Sequence, residues 1–183
     1  MSGIIPVKGR LQGFTLLELI FTLSLIGILC SIAIPAFSSW LPDYKLKIAV
    51  RDLYSNMYLV KMLSIKESNK YQIVFNTSGK GSYRIVRPDG TTEKTIDFMN
   101  YDQGGDIRYG KGNAVEDAKG SGDPVPADGV SYQYNKITFN SRGIGGWGYV
   151  YLANGKGTVY SIGTRVTGII ILRKWNESTR KWE

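Results

Sequence analysis

Apolar and polar residues are distributed along this chain in three regimes. Residues 1–10 form a short polar lead that holds two cations, Lys8 and Arg10. Residues 13–41 are almost wholly apolar and carry a single charge, Glu18; within them, 19–37 is a run of 19 residues without any charge. A run of that length can cross a bilayer as a helix, which takes about 20 residues at ~1.5 Å each. From Asp43 the pattern turns amphipathic. Leu46, Ala49, Val50, Leu53, Met57 and Val60 recur at three- and four-residue spacing, while Lys45, Lys47, Arg51, Asp52 and Lys61 lie largely off that line. This is the period of a helix that buries one face. The pattern predicts helix over 14–41 and 42–69, fading at Glu67, Ser68 and Asn69. Pro35 and Pro42 each remove a backbone donor, and either bends a helix that continues; Pro42 can equally occupy the first turn of a new one.

Beyond residue 70 the composition turns β-rich, punctuated by turn residues, and 92–98 alternates polar with apolar. Strands are predicted over 71–76, 82–87, 92–98, 136–140, 148–153, 157–162 and 168–174. Ser78-Gly79-Lys80-Gly81, Pro88-Asp89-Gly90 and Asn154-Gly155-Lys156-Gly157 supply turns between them. Residues 110–129 are rich in Gly, Asp and Pro and read as an exposed, mobile loop inside a β-rich domain over 70–183. The loop acids Glu116, Asp117, Asp123 and Asp128 are of the type that binds calcium, but their spacing fits no EF-hand. They read as solvated side chains, and no metal or cofactor is expected.

Composition narrows the chemistry. The chain has 183 residues, enough for one domain with an appendage. It has no histidine and one cysteine, Cys30, so a Ser-His-Asp triad and an intrachain disulfide are both excluded. No P-loop, metal-spaced Cys/His set or nucleophile elbow is present, and the expectation is a protein that is not an enzyme. The formal net charge is +8. Lys8 and Arg10 lie on the N-terminal side of the apolar run, which by the positive-inside rule keeps the N-terminus cytoplasmic and sends residues after Pro42 outward.

The acid at the edge of the apolar run needs a reason, because a carboxylate beside a membrane is costly. A secretory signal peptide does not supply one: the run is long for such a signal, and Ala33-Ile34-Pro35 spoils a small-x-small cleavage site. A lipoprotein signal ending at Cys30 would want a small residue where Leu29 stands. A plain uncleaved anchor explains the hydrophobicity and leaves Glu18 unexplained.

The run Gly13-Phe14-Thr15-Leu16-Leu17-Glu18, behind a basic leader, resembles the processing site of type IV prepilins, and Pro35 matches the helix proline common in that family. The resemblance implies a cleaved leader over 1–13, a cut between Gly13 and Phe14, and N-methylation of Phe14. It implies a transmembrane or filament-core helix over 14–41 and assembly through Glu18 and Pro35. Prepilin peptidase, other pilins and the bacterial inner membrane become the expected partners. A chain beginning at Phe14 carries about +6, since two cations and no acid leave with the leader.

Residues 137–143 (Ile137-Thr138-Phe139-Asn140-Ser141-Arg142-Gly143) and 148–152 (Gly148-Tyr149-Val150-Tyr151-Leu152) add a looser resemblance to GspH/FimT-type pseudopilins. The implied class is α+β, a long N-terminal helix packed on a small antiparallel β-domain of two sheets. The implied role is that of a minor subunit of a type IV pilus or a type II secretion pseudopilus, its β-domain periplasmic.

The alternative is DNA uptake through the basic C-terminus, where Arg165, Arg173, Lys174, Arg180 and Lys181 are interleaved with Trp175 and Trp182. Some FimT-like proteins use a Gly-Arg-x-Arg motif near this point. Here Gly163-Thr164-Arg165-Val166-Thr167 departs from it, with an inserted threonine and Thr167 in place of the second arginine. The plainer reading is an edge strand with its tail against a neighbouring subunit.

Overall fold

The computed structural model describes residues 13–183. All of the expected leader except Gly13 lies outside the described residues. The chain divides into two compact units, one ending at Trp40 and one spanning Leu41–Glu183.

One helix, α1 (Leu16–Lys66), continues through both Pro35 and Pro42, so neither proline starts a new helix. Hydroxyls in the apolar part turn back on the helix. Thr22 donates to Leu19 O at 2.8 Å, Ser31 to Ile28 O at 2.7 Å and Ser38 to Pro35 O at 3.0 Å. Polar side chains satisfied in this way can sit in an apolar medium without an orphaned donor. The helix ends as its sequence suggests. Ser68 takes a left-handed backbone (φ 50°), its N–H reaches Ile65 O at 3.1 Å, and Asn69 N–H reaches Ser64 O at 3.0 Å. That pair of bonds is a Schellman stop built on serine rather than glycine.

The second unit holds two antiparallel sheets. The first orders its strands β3-β2-β1-β5, from β1 (Tyr71–Asn76), β2 (Ser82–Val86), β3 (Thr92–Asp97) and β5 (Lys136–Phe139). The second orders them β4-β6-β7-β8-β9, from β4 (Arg108–Tyr109), β6 (Gly148–Ala153), β7 (Val159–Thr164), β8 (Ile170–Asn176) and β9 (Lys181–Trp182). The architecture is the α+β, pilin-like one that the sequence implies. β7 and β8 begin two residues later than the sequence predicts, because Gly157 (φ 91°) and Gly168 (φ 78°) belong to the preceding turns. β4 and β9 are too short to show a period and exist through their pairing with β6 and β8.

Every position of the predicted helical stripe is buried: Leu46, Ala49, Val50, Leu53, Met57 and Val60 are all 0 % exposed. They pack against Ile73, Phe75, Tyr83 and Ile137 of the first sheet and Val150, Leu152 and Ile162 of the second in one continuous core. Polar bonds tie the helix to what it covers. Asn56 Nδ2 donates to Tyr83 OH at 2.8 Å, and Tyr101 OH donates to Asp52 Oδ2. Burial first, and the Asp52 charge second, push the Tyr83 phenol well above its ordinary range. Lys45 Nζ lies 2.8 Å from Asp102 Oδ1, and Asn154 Nδ2 donates to Asp43 Oδ1 at 2.7 Å.

The segment 110–129 departs from the expectation of an exposed loop. Ala114, Asp117, Ala118 and Val125 are buried, and the apolar three form a second core with Tyr149, Tyr151, Ala153, Val159 and Trp175 on the outer face of the second sheet. Ala118 N–H donates to Tyr151 OH at 2.8 Å. Small residues spaced along a Gly- and Asp-rich stretch leave no hydrophobic period to read, yet they fit under a bulky aromatic face.

Two outcomes follow. Leu53→Ala should lower unfolding free energy by about 2–5 kcal/mol in a urea titration, since the site is fully enclosed. The Asp102 carboxyl is held below its ordinary 3.8, first by the hydrogen bond from Lys45. Its contribution is therefore complete above pH 3.8 and is lost as pH falls through the depressed value. Asp102→Asn should cost about 1 kcal/mol at neutral pH, a small figure because the pair is partly solvated, and should flatten the acid limb of a stability-against-pH curve.

Candidate functional site

The N-terminal end of α1 is built by Thr15. Its Oγ1 accepts from Glu18 N–H at 3.2 Å, and Leu19 N–H reaches Thr15 O at 3.1 Å. Thr15-Leu16-Leu17-Glu18 has the spacing of a capping box, and an acid in the first turn also suits the helix dipole. The bond comes from the backbone N–H of position 18, which glutamine or any other residue but proline supplies. The dipole favours a negative charge there by about 0.3–1 kcal/mol at an exposed helix end.

The charge acquires meaning from its surroundings. Phe14, Leu16 and Leu17 are 76, 75 and 79 % exposed, and Glu18 is exposed beside them. No residue of the 18-residue window that marks α1 as long and apolar enough to cross a membrane is buried. Among the described residues, Glu18 forms no salt bridge. Among the described residues, a Cβ added at Gly13 would meet nothing within 4 Å. Pro35 lies inside the continuous helix.

The six C-terminal candidates are not gathered into one site. Alternation along β8 sends Arg173 and Lys174 to opposite faces of the sheet. Arg173 Nη1 donates to Ala118 O at 3.0 Å on the outer side, whereas Lys174 Nζ lies 5.9 Å from the Tyr160 ring centre. Trp175 is only 5 % exposed and packs edge-on against Trp182 at 5.3 Å, whose Nε1 donates to Glu116 O at 3.0 Å. Arg180 sits in the turn between β8 and β9 with φ 50°, and Lys181 pairs with Asn176. Arg165 is exposed at the end of β7 and shares a concavity with Arg173, Lys119 and Trp147. Lys119 and Trp147 went unread in the sequence. The one local signal for Trp147 is its place among Gly145, Gly146 and Gly148.

Of the loop acids, Asp117 and Asp123 meet on Ser121 Oγ, which lies 2.8 Å from Asp123 Oδ2, and no third ligating side chain joins them among the described residues. Asp117 accepts from Lys119 N–H at 3.1 Å and from Ser121 Oγ at 3.2 and 3.3 Å, which shapes the loop itself. Among the described residues no three metal-ligating side chains come together.

Residues 10–34 match the model of the prokaryotic N-terminal methylation motif. The match spans the end of the leader, the Gly13-Phe14 junction, Glu18 and the first part of the apolar helix. The N-terminus is thus that of a type IV pilin-like precursor, a chain of the prepilin kind with a membrane-compatible helix. No curated protein and no solved structure matches the chain significantly.

Proposed function

We propose that this chain is a minor pilin or pseudopilin of the GspH/FimT type. Prepilin peptidase cuts it after Gly13, the new Phe14 amine is methylated, and the subunit enters a type IV pilus or type II secretion pseudopilus. Before assembly the helix anchors it in the inner membrane with the β-domain on the periplasmic side. Its role is structural, not catalytic.

One observation carries this reading: an acid at the fifth residue after the cleavage position, at the rim of a helix whose apolar side chains are left bare among the described residues. Cleavage creates an ammonium at Phe14. Neither that amine nor the Glu18 carboxylate can enter an apolar filament core alone at tolerable cost. Paired between neighbouring subunits they offset each other, and the pair fixes the axial register of one helix against the next. The DNA-uptake alternative draws less support, because Trp175 is buried and Arg173 and Lys174 leave opposite faces of the strand.

Glu18→Gln separates capping from pairing, since glutamine keeps the capping-box hydrogen bond and loses the charge. The variant should insert and be processed normally, yet its amount in sheared filaments should fall at least roughly tenfold, as expected when one member of a buried pair is removed. Wild-type levels of the processed variant in filaments would refute the pairing role.

A further inference from the structure

The outer face of the second sheet is covered over part of its area only. Tyr151, Ala153, Val159 and Trp175 lie beneath the segment 110–129. Beside them, the same face opens into a concavity of about 380 Å³ lined by Lys119, Trp147, Tyr149, Arg165, Val166 and Arg173. Tyr149 is the floor: it is 2 % exposed, and its ring lies so close over Gly163 that a Cβ there would stand 2.2 Å from Cδ1. The walls are apolar and open, with Trp147 55 % and Val166 68 % exposed. Three cations stand round the rim, and none of the lining residues is acidic.

We propose that this concavity binds an acidic, extended segment of a partner protein, with a carboxylate among Lys119, Arg165 and Arg173 and an apolar side chain against Trp147 and Val166. Charge complementarity is the first argument, since three like charges converge on one apolar hollow. The fold supplies the second. The adjoining part of this sheet face is already covered by a Gly-, Asp- and Pro-rich stretch of the chain itself, with Arg173 Nη1 bonded to its Ala118 carbonyl. A partner segment of like chemistry would continue that covering layer, and the Arg173 guanidinium keeps further donors for it.

A nucleic-acid strand fits less well. Its phosphates need cations along a track and its bases need open aromatic faces. Here the cations ring a single hollow, Lys174 is on the other face of the sheet, and Tyr149 is buried. One side of the Trp147 ring is also held by Lys119 Nζ, 5.3 Å from its centre. The inference does not depend on the chain entering a filament.

The test uses the full chain in zwitterionic detergent and the anisotropy of a fluorescein-labelled peptide of alternating glutamate and tyrosine. A glutamine-tyrosine peptide and a labelled oligothymidylate are run in parallel. The glutamate peptide should bind saturably, at least roughly tenfold more tightly than either comparison, and binding should weaken as salt is raised. Trp147→Ala and the double variant Lys119→Ala, Arg165→Ala should each weaken it roughly fivefold or more, with thermal melting unchanged. Equal binding of the glutamate and glutamine peptides, no binding of either, tighter binding of oligothymidylate, or an unchanged affinity in the folded double variant would each overturn the proposal.

Discussion

An apolar helical surface left bare among the described residues is the constraint on which everything else turns. From Phe14 to Phe37 the helix displays Leu, Ile and Phe side chains at half exposure or more. Each such side chain costs about 1.5–3 kcal/mol to leave in water. Lipid can cover this surface, and so can the same surface on other subunits. Both media are apolar, so moving from one to the other leaves the hydrophobic term nearly balanced. In the proposed assembly, the balance between membrane and filament then rests on the small number of polar groups at the rim. Glu18 is the only charged side chain between Gly13 and Leu41, which makes it the natural source of that preference.

The second half of α1 obeys the opposite rule. Its apolar stripe is fully enclosed by two sheets, and the bonds from Lys45, Asp52 and Asn56 hold its flanks to the β-domain. One helix thus combines a segment left exposed among the described residues with a segment enclosed by the β-domain. The aromatic rings of Phe75, Tyr83, Phe98 and Tyr109 lie in the same core and pack on one another with centroids 4.9–6.3 Å apart.

Much of this was legible in the residues. The 3.6-residue period from Leu46 to Val60 marked the buried face position by position, and β1 and β6 coincide with predicted strands. The features that escaped have a common cause: they arise from pairing between distant segments, which leaves no local period. β9 forms because Trp182 meets Trp175, and the stretch 110–129 acquires a core from Tyr151 and Trp175 across the sheet. The interleaving of cations and tryptophans at the C-terminus suggested one binding surface. Strand alternation instead parted Arg173 from Lys174 and buried Trp175, while Arg165 joined Lys119 and Trp147, residues far from it in sequence. At the N-terminus the motif could be read directly, because its meaning lies in spacing along a single helix.

The most direct measurement is mass spectrometry of the N-terminal peptide of the protein recovered from its own cells. The account requires a chain that starts at Phe14 and carries one added methyl group on its amine. A recovered chain that still begins at Met1, or that is cut within the apolar run beyond Glu18, would contradict it.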